Sequence, residues 1–211
     1  MEGSGKRVKF KLAPVEGLFD PGEARHELLY VASEMEKSGC APVLPDGKVA
    51  GNLGAVRYQN GILVSRSGKA PGHASVEDFV YVIGFDGRKW EAVYMPLRPG
   101  AEPTSDTPLY WAALVEVPAI VGRKGPAAAV QGHALSTEGD AKRFGIPIST
   151  EETEFSTPEE RAALIGLMCE YQYPEYRIWI RKGHGFFAAG ESLRKAFDTA
   201  RPYIERARLS R

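Results

Sequence analysis

The sequence predicts a single α+β domain (three-layer α/β/α), with a central, mostly antiparallel β-sheet that carries helices on both faces. Short alternating strands follow one another from Gly54 to Met95, and Asn60-Gly61 and Asp86-Gly87 between them are hairpin turn signals. Helical periodicity with capping residues appears before and after this run. The regular strand–helix–strand alternation of a parallel dinucleotide-binding sheet does not occur, which disfavours that fold class.

The N-terminal part is predicted to hold an arm and a capped helix. Residues 1–19 are interpreted as the arm, so that residues 20–211 form the domain. Asp20-Pro21-Gly22-Glu23 is typical of a helix start, because it joins a capping acid to a proline at the first position and a glutamate three residues after the cap. Apolar residues then recur at helical spacing until Gly39 ends the helix. Four strands follow, the first up to Gln59 and the others over 62–64, 79–85 and 89–95.

Three helices are predicted in the second half of the chain, from Pro108 to about Val117, from Pro158 to about Tyr171, and after Ser192. Each of them follows a hydroxyl residue that can accept a hydrogen bond from a free N–H of the first turn, namely Thr107, Thr157 and Ser192. Glu160 completes a capping box with Thr157. Pro202 predicts a kink or an early end of the last helix, because proline cannot donate the helical hydrogen bond.

Two predicted strands in this half each end beside a histidine. Residues 127–131 are small and apolar, which indicates a buried strand that ends at Gly132-His133, and residues 139–147 are predicted to be irregular. Residues 177–181 alternate with the period of a half-buried strand and stop at Gly183-His184-Gly185, and residues 186–189 extend the sheet. Glycines on both sides free the backbone, so His184 can face a cleft at the strand end. The alternative is a turn with an incidental histidine.

Composition limits the classes of partner. Lys and Arg together number 27, as do Asp and Glu, and without a basic block a nucleic-acid partner has no electrostatic support. The chain has 2 cysteines, far apart, which suits a reducing compartment. No apolar run has the length of a membrane span, so no membrane partner is expected. We therefore expect a cytoplasmic location.

Small polar and metal-ligand residues cluster at predicted element ends, and their order along the chain resembles the class II aldolase/adducin family. The matching stretches are Gly51-Asn52-Leu53-Gly54, Ser65-Arg66-Ser67-Gly68, Thr104-Ser105-Asp106, Gln131-Gly132-His133 and Arg181-Lys182-Gly183-His184-Gly185. The last stretch carries one residue more than the family's Arg-Asn-His-Gly element. The resemblance extends over about residues 20–208 and includes fuculose-phosphate aldolase and ribulose-phosphate 4-epimerase.

The resemblance implies an enzyme of carbohydrate metabolism, a metal-dependent lyase or epimerase that acts on a small phosphorylated sugar or hydroxy-carbonyl compound through an enediolate. A zinc ion or another divalent metal would polarise the carbonyl as a Lewis acid. Carried over by position, His133 and His184 would be metal ligands, with Gln131 at the place of a third histidine. Asp106 would move the proton. The phosphate would lie among the residues Gly51, Asn52, Ser67, Gly68, Thr104 and Ser105. A homotetramer is implied as well.

Two departures from the family leave alternatives open. Gln131 replaces a histidine, and an amide oxygen is a poorer zinc ligand than imidazole. Asp106 is one methylene shorter than the family's glutamate, so it either moves the proton or joins His133 and His184 as a third ligand. The alternative function is a non-catalytic, adducin-like binding or assembly module with a degraded metal site. The lyase interpretation requires the two imidazoles to converge in space.

Overall fold

The sheet of this protein has its strands in the spatial order β1-β5-β4-β3-β2-β6-β8-β7. The computed structural model describes residues 9–17, 19–40, 54–68 and 71–209, and eight strands lie in these ranges. They are β1 (Lys11–Pro14), β2 (Ala55–Tyr58), β3 (Gly61–Ser65), β4 (Phe79–Asp86), β5 (Glu91–Pro96), β6 (Ala128–Gly132), β7 (Ile178–Arg181) and β8 (Gly185–Gly190). Every pair of neighbours is antiparallel except β1 and β5, so the mostly antiparallel sheet is confirmed.

Helices cover the sheet on both faces, as predicted. They are α1 (Ala24–Ser38), α2 (Thr107–Trp111), α3 (Val117–Val121), α4 (Glu138–Phe144), α5 (Pro158–Glu170) and α6 (Leu193–Arg208). One core lies between the sheet and α1 and α6, with α4 at its margin. The other lies between the sheet and α2, α3 and α5. None of the described helices combines the length and the apolar character needed to cross a bilayer.

The strand β8 contributes to both cores at once. Phe186 and Ala188 belong to the core under α1 and α6, whereas Phe187 and Ala189 belong to the opposite core. Successive side chains of a strand point to opposite faces, so a strand between two helical layers is apolar at every position. All four residues of β7 are buried as well, including the charged Arg181. The strand predicted at 177–181 is confirmed as β7, but the prediction that it is half-buried is wrong, because helices cover both of its faces.

The hairpins form close to where the turn signals predicted them. The first turn consists of Gln59 and Asn60, one residue earlier than predicted, since Gly61 already pairs with Tyr58. The second turn holds four residues, 87–90, between β4 and β5. The strand β1 lies inside the segment that was interpreted as an arm, and it pairs with β5 at the edge of the sheet. The arm boundary at residue 20 stays a prediction.

Several helix details differ from the predictions. Residues 138–144 form α4, where an irregular stretch was predicted, because Thr137 and Asp140 make a complete capping box. Asp20 accepts a hydrogen bond from the N–H of Gly22 at 2.9 Å instead of capping α1. The helix after Thr107 does not end at Val117 but passes through a π-helical segment (Ala112–Glu116) into α3. The helix α6 continues past Pro202 to Arg208, so the predicted early end is wrong.

Candidate active site

In the turn between β7 and β8, His184 stands between two glycines, and each of these positions requires glycine for a different reason. Gly183 has φ +74°, a left-handed conformation that favours glycine, and its N–H donates to the Ser136 carbonyl at 2.8 Å. Gly185 is required by a close approach, because a Cβ there would lie 2.2 Å from the backbone oxygen of Gly132. These contacts fix His184 at the carboxyl end of β7, directly beside the end of β6.

His133 and His184 lie together, although 51 residues separate them in the sequence. Their rings stack with centroids 5.3 Å apart and planes inclined by 23°. Nδ1 of His133 is 2.7 Å from the backbone oxygen of His184, and the N–H of His133 donates to the Cys40 carbonyl at 3.1 Å. The convergence of the two imidazoles that the lyase interpretation required is therefore present in the structure.

The imidazole of His133 is neutral at ordinary pH. Burial lowers its pKa, and the nearby His184 and Arg181 lower it further, to about 4. A carbonyl oxygen can only accept, so Nδ1 carries the single proton of the neutral ring and donates it to His184. Nε2 therefore holds the free lone pair. This atom is 3.3 Å from Nε2 of Gln131, an amide nitrogen that can only donate.

A buried ion pair between Glu160 and Arg181 adjoins His184, and neither residue is predicted from the sequence as part of the site. Oε1 of Glu160 accepts hydrogen bonds from Nη1 of Arg181 and, at 2.9 Å, from Nδ1 of His184. The two charged side chains are only 1% and 3% exposed. Burial raises the pKa of Glu160, but the bonds from His184 and Arg181 outweigh it and hold that pKa below its ordinary value. The carboxylate is therefore ionised.

The contact between Glu160 and His184 has the geometry of a carboxylate–imidazole dyad. An ionised carboxylate accepts, so Nδ1 of His184 carries a proton and Nε2 keeps the lone pair when the ring is neutral. This is the way in which a carboxylate orients a histidine that acts as a general base. Phe155 lies against the His184 ring in a T-shaped arrangement, with centroids 6.3 Å apart. The Glu160 carboxylate and the Phe155 ring thus contact the His184 imidazole on two different sides.

Ser156 connects the dyad to the polar loops. Its backbone has φ +58°, an uncommon conformation for a residue other than glycine. In this conformation its N–H donates to Oε2 of Glu160 at 2.6 Å, while its Oγ donates to the Ser105 carbonyl at 3.0 Å. Glu160 was predicted to close a capping box on Thr157. Its Oε2 accepts the N–H of Ser156 instead of that of Thr157, and this leaves Oε1 for His184.

The loops predicted to hold phosphate adjoin each other. Arg66 pairs with Pro103 in an antiparallel bridge, and the N–H of Ser67 donates to the Glu102 carbonyl at 2.9 Å. Ser67 is half-buried and Gly68 is exposed, as a loop that meets a ligand requires. Ser105 is half-buried too. Gly51 and Asn52, the other two predicted anion-binding residues, lie outside the described residues.

Thr104 and Asp106 are buried at the start of α2. The hydroxyl of Thr104 accepts from the N–H of Asp106 at 3.4 Å, and its N–H donates to the Ser65 carbonyl at 3.0 Å, so Thr104 joins this helix start to β3. Asp106, rather than Thr107, stands at the N-cap position, and its side chain is 4% exposed. Burial raises the pKa of the neighbouring Tyr110 well above its ordinary value, and the charge of Asp106 raises it further. The proton-transfer role of Asp106 stays a prediction.

The side chains at this site do not fit the three-histidine zinc centre that the resemblance implies. Across residues 9–17, 19–40, 54–68 and 71–209, no group of three or more His, Cys, Asp and Glu side chains is arranged to hold a metal ion. Asp106 therefore does not complete a two-histidine, one-carboxylate set. Gln131 lies beside His133, and its amide nitrogen faces the lone pair of His133. We assign no chemical step to zinc.

One large cavity lies away from the residues predicted for the site. It measures about 650 Å³ and is lined by Arg123, Lys124, Gly125, Ala127, Tyr173, Pro174, Glu175 and Glu191. Ala127 and Glu191 flank the pair Ala128–Gly190, whereas His133 and His184 adjoin Gly132 and Gly185. The cavity therefore opens at the other end of β6 and β8 from the imidazoles.

The Arg66–Asp78 ion pair supports the Ser67-Gly68 loop and leads to a stability prediction. Burial raises the pKa of Asp78, but hydrogen bonds from Arg66 and Ser75 lower it to about 2. Since the ordinary value is 3.8, the ionised form stabilises the fold by about 2 kcal/mol at pH 7. Asp78→Asn should lose that amount in urea unfolding, and the loss should shrink as the pH falls from about 4 to about 2. Exposed Glu77→Gln should stay within about 0.5 kcal/mol. An Asp78→Asn variant with unchanged stability at pH 7 would contradict the assignment.

Comparison with known proteins places this site in a family context. The sequence model described as Class II Aldolase and Adducin N-terminal domain matches residues 27–210. The structure is similar to YgbL from Klebsiella pneumoniae, with TM-score 0.66, 19% identity and coverage of 91% of this chain and 90% of that chain. It is similar to a sugar-phosphate aldolase from Thermotoga maritima, with TM-score 0.65, 15% identity and coverage of 89% and 93%.

A third solved structure is the L-fuculose-1-phosphate aldolase from Thermus thermophilus. It gives TM-score 0.59 and 18% identity, and the alignment covers 88% of this chain and 91% of that one. Among curated proteins, none matches the sequence. At these identities the structural likeness shows the fold, while the match over residues 27–210 is what shows the family.

Proposed function

The chain belongs to the class II aldolase and adducin family, and from that membership we propose that it is an aldolase- or epimerase-type enzyme. Its substrate is a small phosphorylated sugar or hydroxy-carbonyl compound that reacts through an enediolate. The observation that carries this proposal is the contact of 2.9 Å between Glu160 and His184, because an imidazole oriented by a carboxylate can accept and return a proton. Similar solved structures include a sugar-phosphate aldolase and an L-fuculose-1-phosphate aldolase.

In the proposed cleavage, Nε2 of His184 accepts the proton of the substrate hydroxyl. The O–H electron pair forms the carbonyl of the departing aldehyde, and the electrons of the broken carbon–carbon bond pass to the other fragment as an enediolate. The protonated imidazole then returns its proton to the enediolate carbon. Reforming the bond on the opposite face of the aldehyde would give epimerisation instead. Both outcomes need only one acid–base group that reverses its role.

Arg181 supplies a fixed positive charge beside the dyad. Its Nε and Nη2 are buried, and they make no hydrogen bond to any part of the chain that the structure describes. A preorganised cation in a buried site stabilises negative charge that develops during a reaction, such as that of an enediolate. We therefore assign Arg181 to electrostatic support. We assign the phosphate to Ser67, Gly68 and Ser105, where the two serine hydroxyls and the backbone N–H of Gly68 would bind an anion, since the N–H of Ser67 already donates to Glu102.

The function is tested by incubating the full chain with a panel of ketose 1-phosphates and following release of an aldehyde, in both reaction directions. His184→Gln should lower kcat by about 100-fold or more, with little change of KM, because it removes the proton acceptor and leaves the phosphate loops in place. His26→Gln is the matched control, since His26 is an exposed histidine of α1. Full activity of His184→Gln, or no turnover with any member of the panel, would refute the proposal.

A second candidate function is the binding or assembly module. The observation that favours it is the hydrogen bond from the Gln131 amide to the ring of His133, which occupies a potential metal-binding atom. Such a module would bind the phosphorylated compound without turnover, and binding would survive His184→Gln. Calorimetric titration beside the activity assay separates the two candidates. We also propose a cytoplasmic homotetramer; sedimentation velocity of the purified chain tests the assembly, since a monomer would exclude it.

A further inference from the structure

We infer that Gln131 is the residue that keeps the His133–His184 pair from holding zinc, and that one substitution restores a metal centre at this site. The inference concerns the site of the proposed function but does not depend on turnover, because its readout is bound metal. It starts from the hydrogen bonds of His133, which determine the only ring atom that could bind a cation.

Both nitrogens of the His133 ring are engaged. Nδ1 donates its proton to the His184 carbonyl at 2.7 Å, so it has no lone pair to offer. Nε2 has the lone pair, and Nε2 of Gln131 lies 3.3 Å from it. Only an N–H of the amide can occupy this contact, since an amide oxygen there would set two lone pairs against each other. The ligating atom of His133 is thus already an acceptor for Gln131.

His184 is held in the way that suits a metal ligand. Its Nδ1 pairs with the Glu160 carboxylate at 2.9 Å, which leaves Nε2 as the ring atom with the lone pair. Histidines that bind metals usually donate their other ring N–H to a carboxylate or a backbone carbonyl. His133 and His184 both show this arrangement. The supporting contacts of a metal centre are therefore present at both histidines, and position 131 lacks the third imidazole.

Position 131 is where a third imidazole would be useful. Alternate residues of a strand point to the same face, and the contact between Gln131 and His133 shows that their side chains meet. Gln131 is fully buried, so a side chain at this position cannot turn away to solvent. A histidine has a volume similar to that of glutamine and would place a ring nitrogen beside that of His133. Three imidazoles are a common ligand set for zinc.

The experiment compares zinc retention by the wild-type chain and Gln131→His. Each purified full chain is stripped with a chelator, exposed to zinc chloride, desalted and analysed for metal content, and its affinity is measured by competition with a chromophoric chelator. Gln131→His should retain close to one zinc ion per chain and bind about 100-fold or more tightly than the wild type. The wild type should retain far less than one. Adding His184→Gln to Gln131→His should abolish retention.

Gln59→His is the matched control, because it adds a histidine at an exposed turn far along the chain from β6. Should Gln131→His fail to fold, as judged by circular dichroism, Gln131→Glu is to be used, since it is almost isosteric and supplies a carboxylate ligand. Stoichiometric zinc in the wild type would overturn the inference. So would failure of both folded variants to retain zinc, because another feature would then be withholding the metal.

Discussion

Gly185→Ala should cost about 3 kcal/mol or more of folding free energy and should disorder the imidazole pair. A Cβ at this position would lie 2.2 Å from the Gly132 oxygen and 3.3 Å from Cα of His133. The first of these atoms belongs to the backbone of the paired strand, so no side chain can rotate away. Relief requires β6 and β8 to separate where Gly132 pairs with Phe186, and overpacking of this kind usually destabilises by about 1–3 kcal/mol or more.

Gly166→Ala is the matched control for that substitution. A Cβ at Gly166, inside α5, meets no atom within 4 Å apart from the backbone of its own helix and its chain neighbours. Alanine is favoured over glycine within a helix by about 0.5–1 kcal/mol, so this variant should become slightly more stable. The measurement is urea unfolding of both variants and of the wild type. Equal stability of Gly185→Ala and the wild type would show that the close approach of β6 and β8 imposes no constraint.

Glu160→Ala should destabilise the protein by about 3–5 kcal/mol. The reason is electrostatic: Arg181, which is 3% exposed, would keep its charge and lose the carboxylate that compensates it. His184 would lose the partner of its Nδ1 in the same step. Since the pKa of Glu160 is lowered in the folded state, this stabilisation is present above the ordinary value of 4.5 and fades as the pH falls below it. The difference between the wild type and the variant should therefore shrink in acid.

A double variant tests whether the cost comes from an uncompensated charge. Glu160→Leu combined with Arg181→Met replaces both charged groups by apolar ones, and such replacements of a buried pair are often neutral or stabilising. The double variant should therefore be more stable than Glu160→Ala in chemical denaturation. Exposed Glu159→Ala, one residue earlier in α5, should lose less than about 0.5 kcal/mol. A Glu160→Ala variant as stable as Glu159→Ala would contradict the buried ion pair.

The sequence predicted the three-layer α+β fold because its local signals are strong. Gly39 ends α1 with φ +74°, and Ser192 caps α6 through its hydroxyl, both as predicted. The stretch 138–144 was missed as a helix because a short segment with few apolar residues lacks the periodicity that indicates one. Its capping box at Thr137 and Asp140 was the available signal.

At the site, the sequence indicated the two histidines but not the charges that hold them. His133 and His184 stand beside glycines at strand ends, a pattern that is visible locally. Glu160 occupies a helix start where a glutamate is ordinary, so its turn toward His184 could not be foreseen. The burial of Arg181 could be predicted in part, because strand alternation places it on the same side as Trp179. A buried arginine requires a carboxylate partner. Which carboxylate would be the partner depends on packing between α5 and β7.

The double role of β8 restricts where the chain can change its length. A residue inserted within β8 would move Phe187 and its neighbours to the wrong face and exchange the apolar side chains of both cores. A residue inserted in the preceding turn leaves the register intact. This turn contains Gly183, whose left-handed backbone, with φ +74°, lets the chain reverse direction between β7 and β8. Insertions and deletions among relatives should therefore accumulate at this turn, while the strand itself keeps a constant number of residues.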